Sequence, residues 1–172
     1  MARLDSASEG YIRQHLCAAQ WRAFLPCLAA SLEARMSIEE LRRLMSEAGA
    51  RLAEENPPAD GDSLKGLETC FNALWSRLEW GVAEVRETDD YLSVIHRCAP
   101  LRAAFGSGAL AWSTAVLEGA YGQWFDVVGA GNELILKQVT EPDGLDDAVE
   151  FRLGQMHVVG PAAADLVFEK SR

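Results

Sequence analysis

Val82-Ala83-Glu84-Val85-Arg86-Glu87, then Thr88-Asp89-Asp90, then Tyr91-Leu92-Ser93-Val94-Ile95-His96: two β-rich runs around a polar turn read as a β-hairpin. Pro100 closes it. The chain before this stretch is helical in pattern. After it come a helix and a second hairpin, so the order argues for an α+β domain rather than alternating βαβ units.

Upstream, Leu16, Trp21, Phe24, Leu25, Leu28 and Leu32 fall at mostly helical spacings between Ile12 and Arg35. Pro26 among them predicts one bent helix or two short ones. Ser37-Ile38-Glu39-Glu40 is a capping box, in which the Ser37 hydroxyl and the Glu40 carboxylate each satisfy an unpaired backbone N–H at a helix start. The helix it opens carries Ile38, Leu41, Met45, Ala48 and Leu52 as a narrow apolar seam. After the breakers Asn56-Pro57-Pro58 and Asp60-Gly61-Asp62, Leu64, Leu67, Phe71, Leu74 and Leu78 repeat the same stepping from about Ser63. Two such seams joined by a loop predict an antiparallel helical hairpin.

Downstream, Gly106-Ser107-Gly108 leads into a helix with Trp112, Val116, Ala120 and Trp124 at four-residue intervals. Gly119 and Gly122 there are expected to permit close backbone approach. Glu133–Val139 and Val149–Leu153 are expected strands around Glu141-Pro142-Asp143-Gly144, with Val149, Phe151 and Leu153 alternating with Glu150 and Arg152. A single domain over 1–172 is expected, with 1–36 as an N-terminal helical arm. Exposed edge strands invite a symmetric partner, so oligomerisation is expected.

The chain has 172 residues, 49% apolar and 24% charged, with a formal net charge of -10. That balance disfavours nucleic acid or an anionic membrane surface as the main partner, because both call for a basic face. No segment reaches the roughly 20 uninterrupted apolar residues of a membrane-spanning helix. Residues 1–10 lack the apolar stretch of a signal peptide, so a cytoplasmic location is expected, with the periplasm as the alternative. Cys17, Cys27, Cys70 and Cys98 show no Cys-x-x-Cys spacing and are expected to be buried thiols rather than disulfides or metal ligands.

No catalytic, metal or cofactor constellation emerges. His15, His96 and His157 are far apart and form no ligand pair. His96 ends an apolar strand and is expected to be a hydrogen-bonded structural residue. Ser107 lacks the Gly-x-Ser-x-Gly setting of a nucleophile elbow. Gly129-Ala130-Gly131 precedes a strand rather than a helix N-terminus, and so reads as a turn and not a dinucleotide loop. Glu118 and Asp126 are the one carboxylate pair to weigh for glycoside hydrolysis. Eight residues of helix separate them by about 12 Å of rise, more than such mechanisms use. Trp112, Val116, Gly119, Tyr121 and Trp124 are expected in core or oligomer packing.

Leu78-Glu79-Trp80-Gly81, Ile95-His96, Pro100 and Val116-Leu117-Glu118-Gly119-Ala120-Tyr121-Gly122-Gln123-Trp124 form an ordered series. It resembles the D-subunit family of bacterial cellulose synthase over about Ser37 to Leu153. The resemblance implies a small α+β, non-catalytic accessory subunit that pairs into dimers and builds a cylindrical octamer. Passages in that assembly would accept nascent β-1,4-glucan, and its partners would be the membrane-bound synthase complex and other accessory proteins. Tyr11, Gln14, His15 and Trp21 in the N-terminal region are the candidate glucan contacts. Two competing readings remain: a small-molecule-binding regulatory domain enclosing an apolar ligand, and a β-glucan-degrading enzyme whose activity a Glu118→Gln change would abolish.

Overall fold

The computed structural model describes residues 15–58, 63–129, 134–142 and 147–159. The first helix, α1 (Ala19–Glu33), runs through Pro26 without dividing. The Ser37 capping box is formed: Glu40 N donates to Ser37 Oγ at 3.2 Å and Ser37 N donates to Glu40 Oε2 at 2.8 Å. It opens α2 (Ile38–Glu54), and Ser63 caps α3 (Leu64–Leu78) through Gly66 N.

The expected hairpin comes next as β1 (Val82–Glu87) and β2 (Leu92–Arg97), antiparallel with Val85 opposite Val94. After the short α4 (Leu101–Phe105) and a 3-10 turn, the single expected helix divides at Thr114 into α5 (Leu110–Ser113) and α6 (Ala115–Val127). The second strand pair, β3 (Ile135–Gln138) and β4 (Val149–Gly154), joins the first in one antiparallel sheet of order β1-β2-β4-β3. Val94 therefore lies opposite Val85 on one side and Phe151 on the other. The last described element is the short α7 (Met156–Val159). Helices with a four-stranded antiparallel sheet make the α+β domain that the element order implies.

The structure revises the helical hairpin. The main partner of α2 is α6, while α3 lies on β1. The face that α2 presents is Leu41, Met45, Gly49 and Ala53; Ala48, placed on the seam by its spacing, is exposed, as is Ile38. Glycine decides this contact. A Cβ on Gly49 would stand 1.9 Å from the Val116 carbonyl oxygen, and one on Gly119 would stand 2.0 Å from that of Ser46. The two backbones thus cross where each supplies a residue without a side chain. Gly122, expected to do the same, has open space where its Cβ would be.

Helix α3 explains why β1 is not an open edge. Asn72 Nδ2 donates to the Ala83 carbonyl and Asn72 Oδ1 accepts from Ala83 N, both at 2.8 Å. Glu68 Oε2 accepts from Val85 N at 2.9 Å. Side chains of α3 stand in for a neighbouring strand, so this edge needs no symmetric partner.

The cysteines also differ from expectation: Cys27 is exposed and Cys17, Cys70 and Cys98 are half-buried. Their positions explain it, since Cys27 lies on the outer side of α1 while Ala29 is the buried residue of that helix.

Candidate functional site

The sequence motifs far apart in the chain converge in the core. Trp75 from α3, Trp80 from the turn into β1, His96 from β2 and Tyr121 from α6 meet as a packed aromatic cluster. Trp75 and Trp80 stack nearly parallel with centroids 6.0 Å apart, and Phe71 stacks on Trp124 at 4.8 Å.

Hydrogen bonds give this cluster a direction. A carbonyl can only accept, so His96 Nε2, 2.7 Å from the Trp80 carbonyl, carries the proton. His96 Nδ1 is then the acceptor for the Tyr121 hydroxyl, also at 2.7 Å. The Tyr121 oxygen in turn accepts from Trp75 Nε1 at 3.0 Å. The chain runs Trp75 to Tyr121 to His96 to the Trp80 backbone, with each group's donor and acceptor matched. Burial pushes His96 down to about 4 against a smaller upward pull from the Trp80 carbonyl, and it pushes the Tyr121 hydroxyl well above its usual range. Neither is poised for proton transfer near neutral pH. The network is a structural latch, as expected of His96.

Gly81 completes it. Its φ is +93°, and a Cβ would stand 2.0 Å from the Arg97 carbonyl oxygen, so Trp80-Gly81 is a turn that only glycine makes without strain.

Glu118 is likewise committed. Its Oε2 accepts from Arg42 Nη2 at 2.6 Å and its Oε1 from Gln138 N at 3.2 Å, while Arg42 Nη1 donates to the Ala111 carbonyl. One carboxylate ties α2, α6 and β3 together. Trp112, Val116, Gly119, Tyr121 and Trp124 are all buried within the chain. Trp112 Nε1 donates to Glu33 and Trp124 Nε1 to the Asn56 carbonyl.

The candidate glucan contacts lie elsewhere. Tyr11 and Gln14 fall outside the described residues. His15 is exposed just before α1, and Trp21 is 51% exposed on it. With Phe24 at 54% and Leu28 at 37%, Trp21 forms an apolar stripe at helical spacing that the chain does not cover with described residues. Arg42 and Gly49 escape the sequence reading, which takes Asn56 only as part of a helix breaker. Only Gly49 left a signal, four residues beyond Met45 on the same helix.

The family model for the D subunit of cellulose synthase matches residues 7–154. The chain belongs to the cellulose synthase D-subunit family. Two curated members of it, each described as cellulose synthase operon protein D, come from Komagataeibacter xylinus and Komagataeibacter sucrofermentans. Each is 27% identical to this chain over 103 residues, 59% of this chain and 66% of the relative, slightly under two thirds of their length. Among solved structures, a trafficking protein particle complex subunit 3 from Naegleria fowleri, covalently bound to palmitic acid, superposes with a TM-score of 0.50. It is 11% identical, with 91% of this chain and all of that one covered, which is a likeness of fold alone. The Trp80-Gly81, His96 and Tyr121 motifs that carry the resemblance to the D-subunit family are thus residues of one latch in the core.

Proposed function

We propose that this chain is a non-catalytic accessory subunit of bacterial cellulose synthesis, a scaffold that self-assembles and organises synthase complexes for glucan export and crystallisation. The family match over residues 7–154 carries this reading. The engagement of Glu118 by Arg42 and the Gln138 amide supports it, because one of the two carboxylates weighed for hydrolysis is spent on joining three elements.

The Trp21, Phe24 and Leu28 stripe favours assembly through α1, since covering such a face removes apolar area from water at about 25 cal/mol per Å². The proposed assembly is a cylindrical octamer built from dimers in the cytoplasm, with β-1,4-glucan reaching the N-terminal residues Tyr11, Gln14, His15 and Trp21.

Light scattering coupled to size exclusion tests it. Eight chains of 18.8 kDa weigh about 150 kDa, the mass expected of a closed symmetric assembly. A stable monomer would remove the scaffold. A cello-oligosaccharide found bound away from α1 would remove the N-terminal glucan path.

A further inference from the structure

Gly122, which meets no other backbone, opens instead on a groove of about 430 Å³. Ser46 and Ala50 of α2 line it, and so do Leu134, Ile135 and Leu136 at β3. Helix α6 packs against both α2 and β3 and forms the floor between them.

Strand β3 ends the sheet order β1-β2-β4-β3, so one of its edges has no neighbouring strand. Along an antiparallel strand the backbone groups of successive residues point to opposite edges. Val139 N donates to the Glu150 carbonyl of β4 at 2.9 Å, and Gln138 N points the other way, to Glu118 Oε1 at 3.2 Å. Leu136 has the parity of Gln138. Its N–H and C=O therefore face the groove, and among the described residues neither has a partner. At β1, by contrast, Asn72 and Glu68 meet the edge. Leu134 and Leu136 pack against the core and are still only half-buried. An unmet backbone donor and acceptor beside half-buried leucines form the surface that an added strand covers.

The walls and the chain's own path select the occupant. With α2 standing across the groove from β3, one extended segment fits where the sheet edge of a second folded copy would not. The charged residues of the lining, Glu118 and Asp126, are both acidic, so an acidic segment is repelled. The last described residue, Val159, has its Cγ2 3.2 Å from where a Cβ on Gly154 would stand, and Gly154 lies opposite Ile135 at the start of β3. Gly160-Pro161-Ala162-Ala163-Ala164 can span up to about 17 Å from there. Asp165-Leu166-Val167-Phe168-Glu169 follows, with Leu166 and Phe168 at a strand's period, and Lys170 and Arg172 balance the charges of Asp165 and Glu169.

We infer that residues 160–172 add a fifth strand to this sheet, paired with Leu136 in the groove between β3 and α2, with Leu166 and Phe168 against Leu134 and Leu136. This goes beyond the scaffold reading and does not depend on it. The segment also lies outside residues 7–154, over which the family model matches.

Amide hydrogen exchange of the full chain, resolved at Leu136, tests the inference, with solution mass measured on the same samples. In the parent, the Leu136 amide should exchange about tenfold slower or more than in a Leu166→Pro, Val167→Pro double variant. Successive N–H groups face opposite edges, so one of the two prolines removes the donor toward β3 in either register. The Val94 amide should not change, which shows the sheet still folded. A synthetic peptide of residues 161–172 should restore slow exchange to the double variant and saturate. Gly122→Leu, which fills the groove, should give fast exchange as well. Should that variant unfold, Ala50→Leu narrows the same groove from α2. Fast exchange of Leu136 in the parent overturns the inference, as does slow exchange that survives both prolines. Slow exchange lost on dilution to single chains would assign the strand to a second copy, and slow exchange conferred on the double variant by cellopentaose would assign the groove to glucan; either result overturns it. The mass measurement keeps the scaffold reading separate, since slow exchange in a monomer would remove the scaffold and leave the added strand standing.

Discussion

Gly119 faces Ser46 so closely that a Cβ on the glycine would stand 2.0 Å from the Ser46 carbonyl oxygen and 2.8 Å from its Cα. Both obstructing atoms are backbone, so neither can swing away. The contact holds α2 against α6, and α6 carries Glu118, Tyr121 and Trp124 into the core.

Gly119→Ala should therefore push two helices apart and cost about 2–3 kcal/mol or more, the range of overpacking in a tight core. Gly122→Ala, three residues on in the same helix and facing open space, should instead gain about 0.5–1 kcal/mol of helix propensity. Urea unfolding of the two variants beside the parent checks this. Equal effects of the two substitutions would contradict the crossing geometry.

How much of this was legible beforehand depends on range. The Ser37 cap, the β1–β2 hairpin and the alternation of Val149, Phe151 and Leu153 are set by neighbours within a few residues, and the structure has each of them. The partner of a helix face is not set locally. The seams of α2 and α3 looked alike, yet Gly49 selected α6 for one, and Asn72 with Glu68 directed the other to β1. The Trp75, Tyr121 and His96 chain spans 46 residues between its first two members, and no spacing rule reaches that far. The resemblance did point to Trp80, His96 and Tyr121 together, without saying that they touch.

His96 predicts a pH dependence. Its ordinary value is 6.5 and burial lowers it to about 4 in the folded chain, so between those limits the unfolded chain binds a proton that the folded one does not. Its contribution is complete above about 6.5 and is lost as pH falls through about 4, amounting to roughly 3 kcal/mol. The Glu40, Glu68 and Glu84 carboxyls, all held below their ordinary 4.5, add their own losses at lower pH. Urea midpoints should therefore fall from pH 6.5 to 4.5 in the parent. A His96→Gln variant, less stable at neutral pH, should show a flatter profile over that interval, and parallel profiles would remove the assignment.

Glu118→Gln separates a structural carboxylate from a catalytic one. The amide keeps an acceptor for Gln138 N but loses the charge that meets Arg42, at a cost of about 1–2 kcal/mol for a partly exposed pair. The expected outcome is lower stability with no reducing sugar released from β-glucan by either protein. Hydrolysis by the parent that disappears in the variant would restore the enzyme reading.

Asn72 decides whether β1 remains closed to other chains. Its amide makes both hydrogen bonds to Ala83 that a neighbouring strand would otherwise make, and the residue is only half-buried, so water reaches the edge once the amide is gone. Asn72→Leu exchanges both bonds for bonds to water and should cost about 1–3 kcal/mol, the net worth of two such bonds. It also leaves the edge of β1 unpaired beside a new apolar side chain, the condition under which sheets add further strands from other molecules. Light scattering should show open-ended, concentration-dependent growth rather than a discrete mass. Addition of Glu68→Ala, which frees Val85 N on the same edge, should accelerate that growth. A double variant that keeps the parent's mass would mean that the edge is protected by something other than α3.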